Sequence, residues 1–189
     1  MASKAKKKSR TAKKASSFKP IPSGFRTVTS YLVVNNANGA IEFYKKAFGA
    51  KELRKNATPD GRIMNARIKI GDSIVMLSDE FPGSATKSPL TLGTSTVTLH
   101  VYTKNVDKLW TQAIEAGATA TMPLDNQFWG ERYGQLVDPF GHHWSLSQQI
   151  KMSAKEMEEK QKAAMAMFAA AEHPGGSNNP PGGVSAETN

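Results

Sequence analysis

The stretch Val97-Thr98-Leu99-His100-Val101-Tyr102 reads as a second copy of Val28-Thr29-Ser30-Tyr31-Leu32-Val33-Val34. The residues downstream of each stretch repeat as well. The first copy leads into a helix ending Phe48-Gly49-Ala50, then Gly61-Arg62-Ile63, then Ile70-Gly71-Asp72-Ser73-Ile74-Val75-Met76-Leu77. The second leads into a helix ending Ala116-Gly117-Ala118, then Gly134-Gln135-Leu136-Val137, Asp138-Pro139-Phe140-Gly141 and Trp144-Ser145-Leu146. The offset stays near 69 residues throughout. A strand, a helix and three further strands, stated twice, predict an α+β fold built from two similar halves with a cleft at their pseudo-twofold axis.

Local signals agree. Asn35, Asn36 and Asn38 offer turn and N-cap oxygens, and Ala40, Ile41, Phe43, Tyr44, Ala47 and Phe48 come next at helical spacing. Gly49 stops that helix. Thr58-Pro59-Asp60-Gly61 is a hairpin turn, and Gly71-Asp72 a second. In the other half a helix is predicted over Asn105 to Ala116, and a long loop over Asn126 to Gly134. The predicted organisation is a basic tail over 1–24 and a duplicated domain over 25–150. Within it, modules 25–80 and 97–150 are joined by a Pro/Gly/Ser/Thr-rich linker, 81–96. A helix over 151–173 opens with the capping box Ser153-Ala154-Lys155-Glu156 and carries Met157, Met165, Met167 and Phe168 as a packing stripe. Residues 174–189 read as a disordered tail.

Composition narrows the chemistry. The chain has 189 residues and no cysteine, so thiol nucleophiles, disulfides and thiolate metal sites are excluded, and a cytoplasmic protein is expected. No apolar run has the roughly 20 residues a membrane-spanning helix needs. The net charge of +9 is concentrated in residues 1–20, where Lys4, Lys6, Lys7, Lys8, Arg10, Lys13, Lys14 and Lys19 stand without an acid. This tail suits a solubilising appendage or a nucleic-acid contact through phosphates. Over the remainder, 17 basic residues face 16 acidic ones.

The repeats carry Ala40-Ile41-Glu42-Phe43-Tyr44 and Phe48-Gly49-Ala50 in one half. The other half carries Trp129-Gly130-Glu131-Arg132 and Asp138-Pro139-Phe140-Gly141-His142. On these motifs the chain resembles the vicinal oxygen chelate superfamily of glyoxalase I, bleomycin-resistance proteins and extradiol dioxygenases, and its PhnB-like branch in particular. The resemblance implies paired β-α-β-β-β modules, a curled eight-stranded mixed sheet and a homodimer. It also implies a divalent ion held by His and Glu in the catalytic members. Carried onto this sequence, those four ligand positions fall on Thr29, Met76, Thr98 and Ser145. Hydroxyls and a thioether are poor partners for Zn²⁺, Ni²⁺ or Fe²⁺, so no resident cofactor is expected, and a divalent ion would need a non-standard site.

Strand alternation gives the rest of that face. Tyr31 and Val33 accompany Thr29; Ile74 and Ser78 accompany Met76; His100 and Tyr102 accompany Thr98. Asn65, Arg67 and Lys69 share one face of their strand. Such a mixture suits a small organic guest. The expected ligand-binding residues are Tyr31, Asn65, Arg67, Met76, His100, Tyr102, Trp129, Arg132 and Ser145. His100 and Glu131 are the candidate acid/base groups. Either Trp129 beside Arg132 clamps a planar or anionic ligand, or Glu131 and Arg132 pin the loop while Trp129 caps the core. His142 is expected in the Asp-Pro-Phe-Gly turn, with His143 reaching the sheet face. Three functions remain open: a metal-independent small-molecule binder, a lyase or isomerase of lactoylglutathione-lyase type with a non-standard site, and a nucleic-acid-associated module acting through the Lys-rich tail.

Overall fold

A computed structural model describes residues 19–172; the basic tail over 1–18 and the segment 173–189 lie outside the described residues. The first module is β1 (Tyr31–Val34), α1 (Ala37–Phe48), β2 (Lys51–Ala57), β3 (Ile63–Ile70) and β4 (Ser73–Asp79). A one-turn helix, α2 (Pro89–Leu92), lies in the linker. The second module is β5 (Thr98–Tyr102), α3 (Val106–Glu115), β6 (Thr119–Asn126), β7 (Glu131–Val137) and β8 (His143–Gln149). Helix α4 (Ala154–Glu172) comes last.

All eight strands are present, but their hydrogen bonding divides them into two four-stranded mixed sheets, β1-β4-β3-β2 and β5-β8-β7-β6. Each pairs its first and last strands in parallel and the rest antiparallel. The eight strands of the two expected β-α-β-β-β modules thus form two curled four-stranded sheets, with no ladder between β1 and β5. Two clefts of about 490 and 480 Å³ lie along that seam, and both are lined by Ser30 and Leu99.

The helices start and stop as their sequences dictate. Asn36 Oδ1 accepts from the Gly39 amide at 2.9 Å, and Asn105 Oδ1 from that of Lys108 at 3.0 Å, each satisfying an orphan donor of the first turn. Gly49 ends α1 at φ 63°. In α4, Ser153 and Glu156 bond each other's backbone amides reciprocally.

The core lies between the sheets and the paired helices α1 and α3. From module 1 it takes Leu32, Val34, Ile41, Tyr44, Ala66, Ile68 and Leu77; from module 2, Val106, Leu136, Trp144 and Leu146. Alternation leaves Asn65, Arg67, Met76, His100 and Tyr102 on the opposite faces: Ala66, Ile68, Val75 and Leu77 beside the first three are buried, and Leu99 and Val101 beside the last two are half-buried against the core.

One carboxylate joins the modules. Asp138 is 2% exposed. Its Oδ2 accepts from Tyr44 of α1 at 2.8 Å and from Trp144 Nε1 at 2.9 Å, while Oδ1 accepts from the amides of Phe140 and His142. Burial, reinforced by the Asp138 charge, pushes the Tyr44 phenol well above its ordinary value. The ring of Tyr44 also lies 5.5 Å from that of Trp144.

The predicted loop over Asn126 to Gly134 is shorter than expected. The turn is Gln127 to Gly130, with Gly130 at φ 86° and its amide bonded to the Gln127 carbonyl at 3.1 Å. Glu131, Arg132 and Tyr133 are strand residues of β7. Their run of a charge, a charge and an aromatic masked the period-2 signal that only Gly134 and Leu136 complete.

Candidate functional site

Putting Glu131 on a strand decides what it can meet. Consecutive residues point to opposite faces, so Glu131, Tyr133 and Gln135 share the open face of the second sheet, while Arg132, Gly134 and Leu136 face α3. Gly134 is required there: a Cβ would stand 2.6 Å from the Trp110 ring and 2.9 Å from Leu124 Cα. Arg132 is bound by Asp107 at the start of α3, through Nε at 2.9 Å and Nη2 at 2.7 Å. Of the two readings of Trp129 and Arg132, the pin describes Arg132. The two side chains occupy opposite faces and form no shared clamp.

Register places the open-face residues in rows. Tyr102 is opposite Ser147, and Ser147 opposite Tyr133; His100 is opposite Ser145, and Ser145 opposite Gln135. Glu131 closes the end of this patch. Its Oε1 accepts from the Tyr102 hydroxyl at 2.9 Å; its Oε2 accepts from Ser147 Oγ at 2.8 Å and Trp129 Nε1 at 3.1 Å. Burial pushes its carboxyl up, but the bonds from Ser147, Tyr102 and Trp129 and the proximity of His100 outweigh it, and the net shift is downward. Glu131 is therefore an ionised acceptor at neutral pH. The same bond raises the Tyr102 phenol above its usual value.

The rings held by Glu131 form a surface. Trp129 meets Tyr133 edge-on at 5.5 Å, His100 meets Tyr102 edge-on at 4.4 Å, and His100 stacks near Tyr133 at 6.0 Å. His100 Nδ1 lies 2.7 Å from Ser145 Oγ, and Gln135 Nε2 donates to the Tyr133 hydroxyl at 2.8 Å. Trp129 is 45% and Tyr102 64% exposed, so the rings are oriented yet open to a guest. His100 and Tyr102 also line the larger seam cleft, whose lining includes Phe48 and Trp144.

The first sheet's open face is assembled differently. Tyr31 is opposite Met76, Met76 opposite Arg67, and Arg67 opposite Arg54. The Asn65 amide lies 3.5 Å from the Tyr31 hydroxyl.

The four family ligand positions have other engagements. Thr29 Oγ1 donates to the Arg26 carbonyl at 3.2 Å, Met76 sits between Tyr31 and Arg67 in the ladder, Thr98 is exposed, and Ser145 is paired with His100. Among the described residues, no three His, Cys, Asp or Glu side chains gather as a metal would require. Hydroxyls and a thioether do not fit a transition metal, so no step is derived through one. His142 is in the turn, its Nε2 donating to the Val33 carbonyl at 3.3 Å, while His143 lies on β8 opposite Thr98. Burial holds the His142 ring below its ordinary value.

The Glu131–Ser147 contact and the Tyr44–Asp138–Trp144 link had no local sequence signature, since both depend on register and on helix–sheet packing. The alternation of Gly134 and Leu136 was the available clue to the first. Among the described residues, no helix is long and apolar enough to cross a membrane.

This architecture has relatives. The profile of the glyoxalase/bleomycin resistance protein/dioxygenase superfamily matches residues 25–146. An uncharacterized protein of Mycobacterium tuberculosis is 43% identical over 127 residues, which cover 66% of this chain and 75% of that one. Among solved structures, TioX from Micromonospora sp. ML1 aligns with a TM-score of 0.53 at 24% identity, over 65% of this chain and 97% of its own. A PhnB protein from Bacillus cereus aligns with a TM-score of 0.53 at 17% identity, over 65% and 99%. With the profile covering well over half its length, the chain belongs to the glyoxalase/bleomycin resistance protein/dioxygenase superfamily.

Proposed function

We propose that this protein binds a small organic molecule, with an aromatic part, on the open face of its second sheet, and that binding needs no resident metal. The observation that carries this reading is the threefold engagement of Glu131. One carboxylate orients Tyr102 and Trp129 and takes a third bond from Ser147, beside family ligand positions that hold Thr98 and Ser145. Oriented rings with a few fixed polar groups are the usual composition of a ligand surface. Aromatic contacts contribute about 0.5–1.5 kcal/mol each beyond buried area, enough to hold a planar guest by two or three of them. Glu131 already accepts three bonds, so its role is to position the rings. Capture of the guest, rather than its conversion, is what this arrangement suits. A lyase reading would need an ion that these residues do not suit. The homodimer is part of the same proposal, and sedimentation of the full chain tests it.

Tryptophan fluorescence tests the binding reading, because Trp129 is part of the surface. Titration with small aromatics such as indole or 2-naphthol should give saturable quenching. Glu131→Gln removes the charge but keeps the shape, and should weaken binding about tenfold through loss of the charge that strengthens its three bonds. Unchanged affinity in that variant, or no quenching by any aromatic tried, contradicts the proposal.

A further inference from the structure

The open face of the first sheet carries four cations and no carboxylate. Arg54 stands directly opposite Arg67, and Lys51 directly opposite Lys69. Like charges facing each other across an antiparallel pair repel. The same rows continue into Met76, Ile74 and Tyr31, which offer no compensation. The acids of this module are committed elsewhere. Glu52 pairs with Lys45 of α1, and Asp60 with Arg62 in the hairpin turn. Asp79 accepts from the amides of Ala37 and Ile63. Among the described residues, none of the four cations forms an ion pair.

Arg67 adds a second, independent observation. Its guanidinium lies over the Phe25 ring, with Cζ 5.1 Å from the centroid, and its Nε is buried without a hydrogen-bond partner. Buried donors are almost always satisfied, and an orphan calls for an explanation. The ring fixes the plane of the guanidinium, and its N–H fork matches a carboxylate or phosphate edge.

We infer that this face is an oxyanion-binding surface, on which Arg67 and Arg54 take a carboxylate or phosphate group of a small guest. Lys51 and Lys69 raise the local anion concentration, and Phe25 keeps the Arg67 fork in plane. The inference rests on the small-molecule reading of the second sheet and narrows its guest to an organic acid.

Calorimetric titration of the full chain with benzoate, phenyl phosphate and neutral benzyl alcohol tests it. Both anions should bind at least tenfold more tightly than the alcohol, and their relative affinity tells a carboxylate site from a phosphate site. Arg67→Met should lower anion affinity at least tenfold. Arg54→Gln, at an exposed position, should do the same if Arg67→Met fails to fold. A control chain with Lys4, Lys6, Lys7 and Lys8 changed to Gln should bind as the parent does. Equal binding of anions and alcohol, undiminished anion affinity in both arginine variants, or loss of it in the tail control overturns the inference. If the anions fail but aromatics still bind in a Glu131-dependent manner, the small-molecule reading stands alone. If nothing binds, both fall.

Discussion

The two modules share a backbone plan and differ on one face. Toward the helices they are alike: Ala66 and Leu77 pair in the first as Gly134 and Leu146 pair in the second, all fully or nearly fully buried. On the open faces, equivalent positions diverge. The row Tyr31–Met76–Arg67–Arg54 corresponds to His100–Ser145–Gln135–Met122, and Ile74–Lys69–Lys51 to His143–Val137–Thr119. The first module presents unpaired cations; the second presents rings ordered by an anion. Packing constrains the helix-facing set, because interiors are close-packed. The open faces are free of that constraint, so their chemistry reports what each surface meets.

The largest expected effect concerns the link between modules. Asp138→Ala orphans a phenol, an indole and two amides, and should destabilise the protein by about 3–5 kcal/mol. Asp79→Ala in the first module orphans two amides, and should cost about 2 kcal/mol. Urea unfolding of both variants breaks the comparison if the two costs are equal. A Gly134→Ala change should cost about 1–3 kcal/mol by forcing Trp110 aside, whereas Ala66→Gly at the equivalent position should cost about 1 kcal/mol.

Acid titration sharpens the contrast further. The folded carboxyl of Glu131 sits below its ordinary value, so its contribution is fully present above the unfolded value of about 4.3 and lost as pH falls through the lower folded value. Glu131→Gln should flatten that part of the stability–pH curve. The smallest effect belongs to the first module's repulsion: Lys51→Gln should raise stability by about 0.2–1 kcal/mol, visible as a small upward shift in Tm. No gain would mean that Lys51 and Lys69 do not burden the fold.

Much of this was legible in the chain. The duplication set the order of strands and helices, and Asn36, Asn105, Gly49 and the Ser153–Glu156 box marked helix ends through local chemistry. Alternation correctly assigned Asn65, Arg67, Met76, His100 and Tyr102 to the open faces. What escaped was non-local. How β1 and β5 meet along the seam depends on tertiary packing, which no local pattern encodes. Arg132 looked like a neighbour of Trp129 because they are three residues apart, yet a strand sends it to Asp107 on the other side. Glu131 looked like a loop residue, and its role emerged only when Ser147, Tyr102 and Trp129 converged on it.

Metal-free capture of a guest on the second sheet is tested most directly by two-dimensional NMR of chelator-treated protein during addition of an aromatic acid. The Trp129 indole resonance and those of Tyr102, Tyr133 and His100 should move saturably, with no change when Zn²⁺ is restored. Perturbations that appear only with a stoichiometric divalent ion, or that leave the second sheet's open face unmoved, would contradict it.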